Sequence, residues 1–219
     1  MIRPELLGTY VNPDEIEKQI NTEGFLDLRS YQVDSTEQEI LRFFQNSSLL
    51  QKIDCLKAVV DLQYSDQRLK LHHLIPSGYF ASVAADFIRK KLLANLASFT
   101  FETVMSFPDK IELLKHAQSK GYRTYLYYVA TESPEINVSR VRYRVSLGGH
   151  SVPEDKIVSR YHRSIDLLAQ AIQSTNRAYI FDNSTHEHVW LAEITNGKNV
   201  ELKTSQLPSW FQKVLKRLS

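Results

Sequence analysis

Four short runs rich in β-branched and aromatic residues, 9–11, 98–104, 123–130 and 178–181, recur along the chain with helical stretches between them. That alternation narrows the fold more than any other feature. A strand, a helix and a further strand close most readily as a right-handed crossover, so the runs belong to a largely parallel sheet flanked by helices. The runs are continuously apolar rather than alternating, which predicts a sheet covered on both faces.

The helical stretches carry their own punctuation. Asn12-Pro13-Asp14-Glu15 opens a helix with Asn at the N-cap and Pro in the first turn. The stretch 106–120 has Pro108 near its start, apolar Ile111, Leu114 and Ala117, and Gly121 as a stop. Ser133-Pro134 opens a helix bearing Val138, Val141 and Val145 on one stripe. Ser151 and Glu154 have capping-box spacing, ahead of a helix that turns Ile157, Tyr161, Ile165, Leu168 and Ile172 inward.

Residues 34–97 interrupt the rhythm as a mostly helical insertion. In it Asp34 with Glu37 can cap one helix, and Phe80, Ala84, Phe87, Ile88 and Leu92 stripe another. Near the end, 191–194 and 200–202 around Asn196-Gly197 read as a β-hairpin. A last amphipathic helix carries Phe211, Val214, Leu215 and Leu218. The expectation is a single domain over 1–219, with the hairpin and last helix occupying 186–219.

Composition excludes some partners. Lys and Arg number 27 against 25 Asp and Glu, a net charge of +2, which argues against a general nucleic-acid or polybasic membrane binder. Cys55 is the sole cysteine; it cannot form an internal disulfide and suits a reducing cytosol, as a small hydrophobe more than a nucleophile. No run approaches the ~20 apolar residues of a membrane helix, and Met1-Ile2-Arg3-Pro4-Glu5 has no signal-peptide core. A cytoplasmic protein is expected.

In open α/β sheets, ligands bind beyond the carboxyl ends of the strands. Asn12 and Asp14 fall there after the first run, Glu102 and Thr103 at the end of the second, and Asp182, Asn183 and Ser184 after the fourth. A carboxylate at such an edge can take a proton from a hydroxyl or orient a substrate. Asp14 is equally readable as a helix-start residue favoured by the helix dipole. Glu102 stands in apolar company, Phe99-Thr100-Phe101-Glu102-Thr103-Val104, where a charge calls for an explanation. A second constellation is basic. Arg140 and Arg144 share a helix face, Leu147-Gly148-Gly149-His150 forms a joint, and Arg160 and Arg163 follow on the next helix. Arginines on both sides of a glycine joint suit a movable phosphate clamp over 140–163, or simply a solvated basic face.

At these residues a family becomes recognisable. The stretch from Phe99 to Ser106, Gly121-Tyr122, Arg140-Val141 with Arg144-Val145, Gly148-Gly149-His150-Ser151-Val152-Pro153, Arg160-Tyr161 and Asp182-Asn183-Ser184 resemble the zeta-toxin-like ATPases in order and spacing. The resemblance runs from about Pro4 to Asn183. It implies a P-loop phosphotransferase fold; the characterised toxins use ATP and magnesium to phosphorylate UDP-N-acetylglucosamine. By position, Asp14 resembles the base that accepts the sugar hydroxyl's proton, and Glu102 and Thr103 the substrate-orienting pair. Arg144 and Arg160 resemble the lid arginines that neutralise transferred phosphate charge, with Arg140, His150 and Arg163 in the same lid. Asp182 and Asn183 would lie near adenine. The resemblance also implies a small helical antitoxin as a possible partner.

One departure stands out. The family begins with an apolar strand, a Gly-x-x-x-x-Gly-Lys-Ser/Thr loop and a helix leading toward the position of Ile2-Arg3-Pro4. These 219 residues contain no Gly-Lys-Ser or Gly-Lys-Thr; Gly197-Lys198 is followed by Asn199. In P-loop folds that strand is central, so its absence is expected to leave two open strand edges and an uncovered core. The expected function is therefore a phosphotransferase domain missing its phosphate loop. The alternative is a non-catalytic remnant that keeps the substrate pocket or a partner surface.

Overall fold

Gly8 sets how β1 (Thr9–Val11) begins. Its φ is +60°, and a methyl group there would stand 2.2 Å from the Ser98 carbonyl oxygen, so only glycine admits the close approach. The computed structural model describes residues 7–70 and 75–218. Residues 2–4, where the resemblance begins, and 71–74 lie outside the described residues. The chain divides into two compact units, Met1–Thr103 and Val104–Ser219.

In the first unit β1 leads into α1 (Pro13–Glu23), capped by the Asn12 side chain and ended by Gly24 in the left-handed region. β2 (Phe25–Asp27), α2 (Glu37–Gln45), α3 (Ser48–Lys52), β3 (Gln63–Ser65) and β4 (Arg68–Lys70) follow. Then come the long α4 (Ser77–Ala94) and β5 (Phe99–Phe101). β5 runs parallel to β1 with Tyr10 opposite Thr100 and Val11 opposite Phe101. Among the described residues β5 pairs with no other strand. Ile16 and Ile20 of α1, Phe44 of α2 and Phe80 and Ile88 of α4 are buried in one core, each contributing roughly 1.5–3 kcal/mol.

The described residues of 34–97 share this core with β1 and α1, and they are not purely helical: β3 and β4 form a hairpin that pairs with β2 in the order β2-β4-β3. Its two-residue turn, Asp66-Gln67, takes φ of +49° and +57° without a glycine, which hid it from the sequence reading. α2 is capped by Thr36, whose hydroxyl accepts the Glu39 N–H at 3.2 Å, and not by Asp34, which stands too far upstream of the first turn. The run 98–104 is a strand only over its first part, because the chain leaves β1 at Phe101.

The second unit contains α5 (Asp109–Ser119), β6 (Tyr125–Ala130), α6 (Pro134–Ser146), α7 (Glu154–Gln173), β7 (Arg177–Asp182), β8 (Val189–Thr195), β9 (Asn199–Leu202) and α8 (Ser209–Leu218). β6 and β7 are parallel, β8 and β9 add antiparallel, and the order is β6-β7-β8-β9. β6 pairs only with β7 among the described residues. Asn196 and Gly197 both take positive φ in the β8–β9 turn, as the Asn-Gly pair predicts.

Ile111, Leu168, Ile172, Phe211 and Val214 from the three helices α5, α7 and α8 pack on Ala178, Ile180 and Ile194 of the sheet. That is one face. The expectation of a sheet covered on both faces fails here: Tyr125, Tyr127 and Val129 on the other face of β6 are 49%, 44% and 54% exposed. The Ser151–Glu154 capping box also fails to form. Pro153 precedes α7 without a side-chain cap, and Glu154 instead pairs with Arg142 at 2.6 Å.

Candidate functional site

In the first unit the polar residues collect where β1 and β5 end. Asn12 Oδ1 accepts the Asp14 N–H at 2.8 Å, fixing the first turn of α1. Asn12 Nδ2 donates to the Tyr10 hydroxyl at 3.0 Å. Burial pushes the Tyr10 phenol above its ordinary value; the Asn12 bond pulls it down and the Glu102 charge pushes it up again. Asp14 is exposed, and its carboxylate makes no hydrogen bond or ion pair among the described residues. Glu102 and Thr103 are exposed as well. The expectation that Glu102 sits in buried surroundings is therefore corrected: β5 ends at Phe101, and the next residues are already in solvent.

In the second unit the carboxyl ends of β6 and β7 form a closed network. Asn183 N–H donates to Ala130 O at 2.7 Å, and Ser184 Oγ accepts the Glu132 N–H at 2.7 Å. Asp182 is buried with both oxygens engaged, by Ser184 N–H at 2.9 Å and Trp210 Nε1 at 3.0 Å. Arg140 Nη2 donates to Asn183 O at 2.7 Å, tying α6 to this loop. The Tyr161 hydroxyl donates to Thr131 O and Glu132 O at 2.8 and 3.0 Å. Burial, then the Glu132 and Asp182 carboxylates, push its phenol up to about 12, so it remains a donor at neutral pH.

The basic residues sit on the α6–α7 hairpin. Arg144 Nη2 donates to His150 O at 2.9 Å, bracing the joint from inside. A methyl group on Gly149 would stand 2.6 Å from Arg144 Cγ, so the turn closes over that arginine only because residue 149 has no side chain. His150 is exposed. Arg163 lies over the Phe107 ring at 4.9 Å. Half-buried Arg160 makes no hydrogen bond or ion pair among the described residues. Between the helices runs a cleft of about 310 Å³ lined by Val138, Val141, Val145, Val152 and Ile157, with Arg142 and Glu154 among its polar lining.

Sequence reasoning missed Trp210, which left no local signal, and read Tyr161 only as an inward-facing helix residue beside Arg160.

ATP and magnesium, implied by the resemblance, need a nest of backbone N–H groups with a lysine and a set of oxygen donors. These residues do not fit that group by themselves. The sequence has no Gly-Lys-Ser or Gly-Lys-Thr, and among the described residues no three His, Cys, Asp or Glu side chains converge on a metal site. No helix among the described residues is long and apolar enough to cross a membrane.

Parallel strand pairs flanked by helices, with polar residues gathered at their carboxyl ends, define a mixed α/β protein of the P-loop kinase-like class. The zeta toxin family model matches residues 77–195, more than half of the chain, and the chain belongs to that family. The match takes in Glu102, Arg140, Arg144, Arg160, Arg163 and Asp182; Asp14 lies ahead of it. An uncharacterized protein of Haemophilus influenzae is 35% identical over 63 residues, which is 29% of this chain. The match covers only 45% of that relative. No solved structure matches the chain.

Proposed function

We propose that the chain is the substrate-binding and lid-bearing part of an ATP-dependent phosphotransferase acting on a small hydroxyl-bearing molecule, a UDP-amino sugar in the first instance. These 219 residues carry no Gly-Lys-Ser or Gly-Lys-Thr loop of their own. The observation that carries the reading is the edge formed by the parallel neighbours β1 and β5. There an uncommitted, exposed Asp14 follows one strand and an exposed Glu102 follows the other. Asp14 is the base that takes the proton from the substrate hydroxyl, and Glu102 and Thr103 orient that hydroxyl. In the second unit Arg144 and Arg160 supply positive charge for phosphate oxygens, and Arg140, His150 and Arg163 shape the lid around them. Asp182 and Asn183 lie on the adenine side, where Asp182 holds the loop through Ser184 and Trp210.

Calorimetry on the 219-residue chain tests the reading. UDP-N-acetylglucosamine should bind and lose affinity in Glu102→Gln. MgATP should bind no more tightly than roughly millimolar, because the phosphate nest is missing. Micromolar ATP binding would show that another element supplies the nest. Sugar-nucleotide binding untouched by Glu102→Gln would move the substrate away from this edge.

A further inference from the structure

The sheet of the second unit treats its two edges differently. β9 carries Glu201, which pairs with Lys203 just past the strand, and charges on an edge discourage a further strand. β6 reads Tyr-Leu-Tyr-Tyr-Val-Ala, without a charge or a proline, in unbroken register with β7. Thr124 O accepts the Asn176 and Arg177 N–H groups, and Ala130 O accepts the Asn183 N–H. The even-numbered residues thus turn their backbone groups toward β7. Tyr125, Tyr127 and Val129 aim theirs at the open edge, where their side chains are exposed as well. Beside that edge Tyr127 stacks on its cross-strand neighbour Tyr179 with ring centroids 4.7 Å apart, and Phe181 stacks on Trp190 at 6.2 Å. Rings that stack at the spacing of the strands stand on edge. They offer no flat platform for a nucleic-acid base, but another strand can extend the ridge.

We infer that two copies of this chain join by antiparallel pairing of their β6 strands about a two-fold axis at Tyr127. Such an axis keeps each face of the sheet on its own side, and residues directly opposite each other must share a face. Only the register with Tyr127 opposite itself uses all the outward residues. Tyr125 then lies opposite Val129 of the second copy, and each such pair exchanges two backbone hydrogen bonds. The direction suits the charges: Arg123 precedes the strand, and Glu132 and Glu135 follow it. Antiparallel pairing sets the basic start of one strand beside the acidic finish of the other, whereas parallel pairing would set like against like. Contact along a single edge falls at the small end of protein interfaces, so the dissociation constant should be about 1–100 μM. All of these residues belong to the second unit, and the inference does not depend on the function proposed above.

Sedimentation velocity on the 219-residue chain from about 1 to 500 μM reads the association directly. Tyr127→Lys puts two ammonium groups opposite each other at the axis and should weaken the dimer at least about tenfold. Val129→Lys, at the more exposed position, should do the same and serves if the first variant melts early. Leu202→Lys, on the exposed β9 edge, should leave the dimer unchanged. Arg123→Glu should weaken it, and adding Glu135→Arg should restore it. The amides of Tyr125, Tyr127 and Val129 should exchange more slowly as the chain concentration rises. A chain that stays monomeric throughout overturns the inference and leaves the edge to a strand from another polypeptide. So do growth past the dimer, equal weakening by Leu202→Lys, or a charge swap that fails to rescue.

Discussion

Trp210 Nε1 donates to Asp182 Oδ2 at 3.0 Å, and the other oxygen of that carboxylate accepts the Ser184 N–H. The last helix is thereby fastened to the loop after β7 through one buried side chain. Asp182→Ala leaves both donors without a partner and should cost about 2–4 kcal/mol in urea unfolding. Asp182→Asn retains one acceptor and should cost about half as much. Losses below about 0.5 kcal/mol for both would show that the carboxylate is free for a ligand and is not a clamp.

Asp14 has no such structural commitment. In a chain completed by a strand, a Gly-x-x-x-x-Gly-Lys-Ser loop and a helix ahead of residue 1, Asp14→Asn should lower turnover by about 10²-fold or more. Its melting temperature should barely move, because an exposed helix-start charge is worth only a few tenths of a kcal/mol. Full turnover in this variant would leave Asp14 as a helix-start residue and nothing more.

Asp27 gives the first unit an acid-sensitive point. Hydrogen bonds from the Arg29 side chain, with further help from Arg68, hold its carboxyl at about 2. A folded-state value below the unfolded one stabilises above the ordinary carboxyl range and is lost as pH falls through about 2. Asp27→Asn keeps the cap on Arg29 N–H but loses the charge, so its deficit should be present at pH 6, shrink below pH 4 and vanish near pH 2. If the carboxylate acted only as a cap, urea titrations across that range would show no deficit at any pH, since asparagine keeps that cap.

Gly8→Ala places a methyl group against the Ser98 carbonyl at a positive φ. It should destabilise the first unit by about 2–4 kcal/mol. The Thr9 amide, bonded to Ser98 O at 3.0 Å, should exchange faster with solvent. A native melting temperature would mean that β1 can shift to accommodate the side chain.

Local signals were legible where one residue decides the geometry. Asn12 caps α1, Pro134 opens α6, and Asn196-Gly197 turns the hairpin, each at the position its backbone chemistry demands. The failures came where several partners compete. Ser151 and Glu154 have capping-box spacing, yet Arg142 takes the glutamate and the box does not form. The β3–β4 turn uses Asp66 and Gln67 and carries no glycine signal. The places of Asp14 and Glu102 just past strands were legible from the apolar runs before them. That the two strands lie side by side was not, because β1 pairs with β5 across most of a unit, which no local window contains.

That pairing has a consequence for the timing of synthesis. Thr9 pairs with Phe99, ninety positions further on, and α1, α2 and α4 between them pack into the same core. At about 5–20 residues per second, β1 waits roughly five to eighteen seconds after leaving the ribosome before its partner exists. During that interval the apolar faces of α1 and α2 have no α4 to cover them. The β8–β9 hairpin needs no such delay, since its strands leave the ribosome one directly after the other. The nascent chain is therefore most vulnerable early, and a chaperone acting on it would meet the half that carries Asp14.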